Sequence, residues 1–203
     1  MPKEICRHFQ KKFPGWSFKL ALTYTPEKNN FGAACPAFSL PATDGKTYSQ
    51  ADFLNGKPLV IMFICNHCPY VKAIEERLIT LAADLKKAEI NVVGICSNDE
   101  INYPDDSFAN LKKRAEEKNY GFPYLHDKSQ QVARTFGAVC TPDFFVYDNA
   151  GQLAYRGQLD DSWKDPGLVK HRELFEAVIE LSKNQTISRP QIPAMGCSIK
   201  WVK

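Results

Sequence analysis

Leu59-Val-Ile-Met-Phe-Ile64, followed at once by Cys65-Asn66-His67-Cys68-Pro69, is the stretch on which the fold turns. Six apolar residues in a row leave no polar face, so the run predicts a central strand buried on both sides. After Pro69, Val71, Ile74, Leu78, Leu81 and Leu85 recur at three- and four-residue spacing, with Lys72, Glu75, Glu76 and Lys86 between them. That pattern predicts an amphipathic helix of about five turns. The two cysteines therefore stand where a buried strand hands over to a long helix.

Working outward, Ile90 to Cys96 reads as a second buried strand, and Pro104-Asp105-Asp106 opens a helix through Phe108, Leu111 and Ala115 that ends near Gly121. Phe122 to Leu125 predicts a short strand. Val132, Ala133 and Phe136 predict a brief helix stopped by Gly137. Phe144 to Tyr147 and Gln152 to Gln158 flank an Asp-Asn-Ala-Gly turn and predict a β-hairpin. A last helix is expected over about 168–182, with Leu174, Phe175, Val178, Ile179 and Leu181 inward, before a proline-containing tail over 184–203 packed on the domain. Ahead of the central strand, Pro36, Pro41 and Asp44-Gly45 predict a further hairpin over 36–50. Strands separated by helices imply parallel pairing, with the late hairpin adding antiparallel strands to an α/β sandwich.

The 203 residues, 44% hydrophobic and 24% charged, suit one domain over 21–183 with extensions at either end. The longest apolar run, Leu59 to Cys65, is far short of the roughly 20 residues of a membrane span. Residues 1–20 carry Lys3, Arg7, Lys11, Lys12 and Lys19 against Glu4, so the net charge of +3 sits in that basic extension. The nearly neutral remainder offers no footprint for nucleic acid. Within the extension, Ile5, Phe9 and Phe13 could form a short amphipathic stripe. No secretory signal is expected, because Lys11, Lys12, Pro14 and Lys19 interrupt the first twenty residues. A reducing cytoplasm is the expected compartment.

Seven cysteines are too few for a disulfide scaffold and odd in number, which points to reactive or buried thiols. Cys65 and Cys68, three apart at a helix start, can close a small ring that forms and opens easily. Backbone N–H groups and the helix dipole are expected to make the first cysteine acidic, and a protonated His67 between them adds positive charge. Such a histidine stabilises the thiolate form and makes the disulfide more oxidising. Two other readings stay open: a copper or zinc carrier using Cys65, His67 and Cys68, and a pair of thiols that merely fill core. A metal site usually shows a second ligand pair, and none occurs here. No metal or other cofactor is expected. Cys197, in the tail, is a candidate third redox thiol. Cys140 beside Thr141 reads as a buried filler near the site, Cys35 and Cys96 as core, Cys6 as part of the extension, and His8, His126 and His171 as without a role.

Taken together, Phe63-Ile-Cys-Asn-His-Cys-Pro-Tyr-Val71, Ser97-Asn-Asp99, Tyr103-Pro-Asp-Asp-Ser-Phe108, Cys140-Thr-Pro-Asp-Phe-Phe145, Tyr155-Arg-Gly-Gln158, Asp160-Asp-Ser162 and Gly196-Cys-Ser-Ile-Lys-Trp201 resemble the redoxin (alkyl hydroperoxide reductase/thiol-specific antioxidant) branch of the thioredoxin-like superfamily. Proteins of this kind are often called peroxiredoxin-like or probable thiol-disulfide isomerases. The resemblance implies a three-layer α/β/α sandwich with a central mixed sheet, an N-terminal hairpin and a helix-strand insertion. It implies a thiol-disulfide oxidoreductase in which Cys65 attacks, Cys68 resolves and His67 assists. Thr141, Pro142 and Asn66 are then expected to meet the substrate, with Thr141-Pro142, an X-Pro bond able to be cis, pairing with its backbone. Partners are expected to be protein or small-molecule disulfides and a thiol reductant.

Two departures from the pattern matter. The buried acid that many thioredoxins keep six residues before the first cysteine is Leu59 here, leaving Asp143 or water as proton acceptor for Cys68. The hydroxyl three residues before a peroxidatic cysteine is also missing, since Met62 precedes Cys65 and Cys65 precedes Cys68 at that spacing. Thiol peroxidase activity is the alternative reading.

Overall fold

The computed structural model describes residues 22–184 and 186–203, so the expected basic extension over 1–20, with Cys6 and His8, lies outside the described residues. The strand predicted from the apolar run is β4, Leu59–Phe63, and all five of its residues are fully buried. In chain order the other strands are β1 (Leu22–Tyr24), β2 (Ser39–Pro41), β3 (Thr47–Ser49), β5 (Asn91–Cys96), β6 (Tyr124–His126), β7 (Cys140–Thr141), β8 (Asp143–Tyr147), β9 (Leu153–Gly157) and β10 (Met195–Ser198). The helices are α1 (Pro69–Lys87), α2 (Phe108–Glu117), α3 (Gln131–Phe136) and α4 (Glu173–Asn184).

β4 lies at the centre of a five-stranded sheet of order β6-β5-β4-β8-β9. It is parallel to β5 and antiparallel to β8. Because side chains alternate along a strand, Val60 and Met62 enter one core with Ile74, Leu78, Leu81 and Leu85 of α1 and Leu174, Ala177 and Val178 of α4. Leu59, Ile61 and Phe63 enter the other, with Ala133 and Phe136 of α3 and with Phe38 and Leu40 at the N-terminal hairpin. Two cores, one on each face, make the three-layer α/β/α sandwich, and they explain why the strand is apolar throughout rather than alternating.

Differences from the sequence-based expectation are local. The last helix begins at Glu173, and the residues around Leu168 form a separate 3-10 turn, Pro166–Leu168, capped by Asp165 accepting from Gly167 N at 2.9 Å. The helix expected from Pro104 splits into a 3-10 turn, Pro104–Asp106, and α2. The tail is not irregular: β10 pairs on one side with β1, Leu22↔Cys197, and on the other with β7, Cys197↔Thr141. Neither β1 nor β10 shows in periodicity, since strands of three and four residues leave too few alternations to read. Among the described residues, no helix is long and apolar enough to cross a membrane.

Candidate active site

Sheet register assembles the site. Phe63 of β4 faces Asp143 of β8 in antiparallel register, so Cys65, two residues after Phe63, and Thr141, two residues before Asp143, reach the same sheet end. Cys65 Sγ lies 3.2 Å from Thr141 Oγ1, and Cys68 Sγ donates to Thr141 O at 3.1 Å. The Thr141-Pro142 peptide bond is cis. Both cysteines are buried and unbridged, at 1% and 0% exposure.

Helix α1 starts at Pro69, which sets which of the two cysteines meets its terminal N–H groups. Pro69 is its first residue and Cys68 its N-cap, so the terminal N–H of Val71 points at Cys68 rather than at Cys65. Burial pushes Cys68 up, but hydrogen bonds from Cys197, Cys65 and Val71 N–H outweigh it and hold this thiol well below its ordinary range. Burial, the hydrogen bond with Cys68 and the Asp106 carboxylate push Cys65 well above it. The surroundings thus act on the two thiols in opposite directions, lowering Cys68 and raising Cys65.

The loop between the cysteines is held by Asp106, a fully buried carboxylate from the 3-10 turn before α2. It accepts from Asn66 N at 2.7 Å and His67 N at 3.2 Å through Oδ1, and from His67 Nδ1 at 2.5 Å and Asn98 Nδ2 at 2.8 Å through Oδ2. Four nitrogens thus converge on this one carboxylate and hold the 65–68 loop over it. His67 also stacks on Tyr103, ring centroids 5.0 Å apart, and its Nδ1 lies 3.9 Å from Cys65 Sγ. The Asp106 carboxylate beneath the loop opposes a thiolate on Cys65. Asp106 and Asn98 were given no role from sequence, although both lie in stretches that carry the resemblance, because only the fold brings residues 98 and 106 under the 65–68 loop.

Asn66, expected to meet substrate, donates from its Nδ2 to Asp105 O and Asn110 O, each at 3.0 Å. Asp143 is also committed. It is fully buried against Arg156, accepting from Nη2 at 2.8 Å and Nε at 3.2 Å, so it is not free to take a proton from Cys68. The edge of β7 at Thr141, expected to pair with substrate backbone, already carries Cys197 of β10. An extended substrate can pair along that edge only if β10 gives way. The hydroxyl absent from the sequence pattern before Cys65 is supplied from elsewhere, by Thr141.

As metal ligands, the described residues bring together Cys65, His67 and Asp106 within 4.8 Å, and Cys68 is not part of that group. Asp106 already serves four donors and His67 Nδ1 is bonded to it, so a cation would have to break this network. Cys96 and Cys140 are fully buried and pushed up by burial, as core thiols are.

A three-layer sandwich with a Cys-x-x-Cys at the end of its central strand, facing a cis-proline segment, defines a redox protein of thioredoxin-like fold. More narrowly, the chain belongs to the AhpC/TSA family, which matches residues 31–156. It is 32% identical over 134 residues to the thiol:disulfide interchange protein DsbE of Yersinia pestis, covering 64% of this chain and 66% of that protein, about two thirds of its length. It is 28% identical over 126 residues to peroxiredoxin Bcp of Escherichia coli (strain K12), covering 61% of this chain and 76% of that protein. An uncharacterized conserved protein from Geobacillus kaustophilus has a crystal structure that superposes with a TM-score of 0.85 at 39% identity, covering 91% of this chain and 98% of that one. The chain is thus a redoxin, in the group that holds thiol-disulfide oxidoreductases and peroxiredoxins.

Proposed function

We propose that the protein exchanges thiols for disulfides through Cys65 and Cys68, with protein or small-molecule disulfides as substrates and a thiol as reductant. The observation that carries this reading is the sharing of Thr141 by two unbridged thiols, 3.2 Å from Cys65 Sγ through its hydroxyl and 3.1 Å from Cys68 Sγ through its carbonyl.

The two thiols lie against the same residue, and each shifts the ionisation of the other. Loss of the Cys65 proton makes Cys65 the nucleophile, beside His67, whose Nδ1 is held by Asp106 and lies 3.9 Å from its sulfur. Cys65 Sγ attacks one substrate sulfur and expels the other as a thiolate. Cys68 Sγ then attacks Cys65 Sγ, releases the second substrate thiol and leaves the Cys65–Cys68 disulfide, two electrons having passed to substrate. A thiol reductant resets the pair by the reverse route. The reducing cytoplasmic setting belongs to the same proposal.

Cys65→Ser is expected to abolish reduction of a model disulfide, and Cys68→Ser to accumulate a mixed disulfide on Cys65. Full activity of Cys65→Ser overturns the reading. A second reading, peroxide reduction, is favoured by the Thr141 hydroxyl beside Cys65 Sγ. Cys65 would then attack peroxide to give sulfenic acid and water, and Cys68 would condense with it. Fast stoichiometric loss of both thiols to hydrogen peroxide supports that route, and sluggish loss removes it.

A further inference from the structure

β10 lies flush against the reactive pair. An ideal Cβ on Gly196 would sit 2.1 Å from Thr141 O and 2.5 Å from Thr141 C, so the strand approaches the cis-proline segment as closely as a backbone without a side chain allows. The next residue, Cys197, pairs with Thr141, whose carbonyl accepts from Cys68 Sγ, and is buried at 3% exposure in the same core cluster as Cys65 and Cys68; its thiol and that of Cys68 shift each other's ionisation. Both ends of the strand are anchored. Thr25 N donates to Ala194 O and Ala194 N to Thr25 Oγ1, each at 2.9 Å. Beyond it, Lys200 N donates to Asn98 Oδ1 at 2.8 Å, the same Asn98 that holds Asp106. A cysteine that only fills core has no need of a polar contact with the reactive sulfur.

We propose that Cys197 is a third redox thiol that takes over the disulfide from Cys65, using Cys68 as the shared sulfur. The inference rests on Cys65 and Cys68 being the exchanging pair. In the step, Cys197 Sγ attacks Cys68 Sγ of the Cys65–Cys68 disulfide. The bond between sulfurs 65 and 68 breaks, the bond between 68 and 197 forms, and the proton leaving Cys197 ends on Cys65. Nothing is oxidised or reduced overall, because the disulfide moves one sulfur inward. Cys65 is again a thiol, free to attack a second substrate, while β10 is fastened covalently to the start of α1.

The resting protein holds this step back. The hydrogen bond to Cys68, together with burial, keeps the Cys197 thiol far above its ordinary range. Once Cys68 is in a disulfide it carries no negative charge, and the first of those two restraints is gone.

The test uses the full chain, reduced and then treated with one equivalent of diamide, quenched in acid, alkylated and digested with trypsin. Cys65 and Cys68 share the peptide 47–72, whereas Cys197 lies in 184–200, so a link between the two reports on the relay. Wild type is expected to give both the Cys65–Cys68 ring and the linked peptides. Cys65→Ser, or Cys65→Ala should serine destabilise a buried site, is expected to give the linked peptides with alkylation of Cys197 reduced roughly tenfold. A wild-type ring alone, with Cys68 and Cys197 of the Cys65 variants both still alkylated, overturns the relay and leaves the exchange reading standing. Linked peptides in the variants without any ring in wild type overturn the exchange reading, and the relay with it.

Discussion

Replacing Gly196 with alanine tests whether β10 is seated on β7 as tightly as its geometry requires. The added Cβ meets Thr141 O at 2.1 Å, Thr141 C at 2.5 Å and Pro142 N at 3.0 Å, all of them backbone atoms that no rotamer change can move aside. Attractive contact between heavy atoms begins at about 3.5 Å, so the strands must part by roughly 1 Å or more. Forcing a group of this size into a packed site costs about 1–3 kcal/mol. For a chain of this length that corresponds to a fall in Tm of about 2–12 °C. The strain is local, and the part of it released by lifting β10 exposes Cys197, which is 3% exposed in the native protein. Thermal denaturation measures the first effect, and the rate of Cys197 labelling by N-ethylmaleimide, mapped by mass spectrometry, the second. A variant that keeps the wild-type Tm and protects Cys197 equally well would refute the close seating of β10, and with it the placing of Cys197 against Cys68.

Other outcomes are expected elsewhere in the fold. Arg156→Met leaves Asp143 buried without its partner and should cost about 3–5 kcal/mol in urea denaturation; adding Asp143→Leu should recover much of that loss, and a single variant as stable as wild type would contradict the pairing. Arg189 hydrogen-bonds Glu176, and Ser188 with Arg189 hydrogen-bonds Glu180, which holds both carboxyls below their ordinary range and ties the tail to α4. Because these folded-state values are depressed, their stabilisation is complete above the unfolded carboxyl pKa of about 4.3 and is lost as pH falls through the folded values. Urea midpoints measured between pH 6 and pH 3 should therefore decline towards the acid end, and less steeply in Arg189→Ala.

The parts of the fold legible in sequence are those whose pattern is long or extreme. β4 is recognisable because a strand covered on both faces must be apolar at every position, and α1 because 19 residues give five repeats of its stripe. The Cys65–Cys68 pair follows from the same reading, since its place is the junction of those two elements. What holds residues 65–68 outside the helix is not legible, because helix ends depend on which donors find partners, and here Asp106 takes the N–H groups of Asn66 and His67. β1 and β10 were hidden for a different reason: each is stabilised by pairing with a strand far away in sequence, and a single short strand carries no sign of its partner.

What the sequence determined by itself is therefore the sandwich, the position of the reactive cysteines within it and the redox chemistry those residue types bring. Tertiary structure decided how the chemistry is distributed. It placed Asp106 under His67, put the Thr141 hydroxyl beside Cys65 and its carbonyl beside Cys68, committed Asp143 to Arg156 and brought Cys197 onto Thr141. The physical reason is range. Apolar periodicity is a local property that survives in a string of letters, whereas hydrogen bonds and charges act on whatever the packed chain brings within a few ångströms, here residues as far apart in sequence as 67 and 106 or 65 and 141.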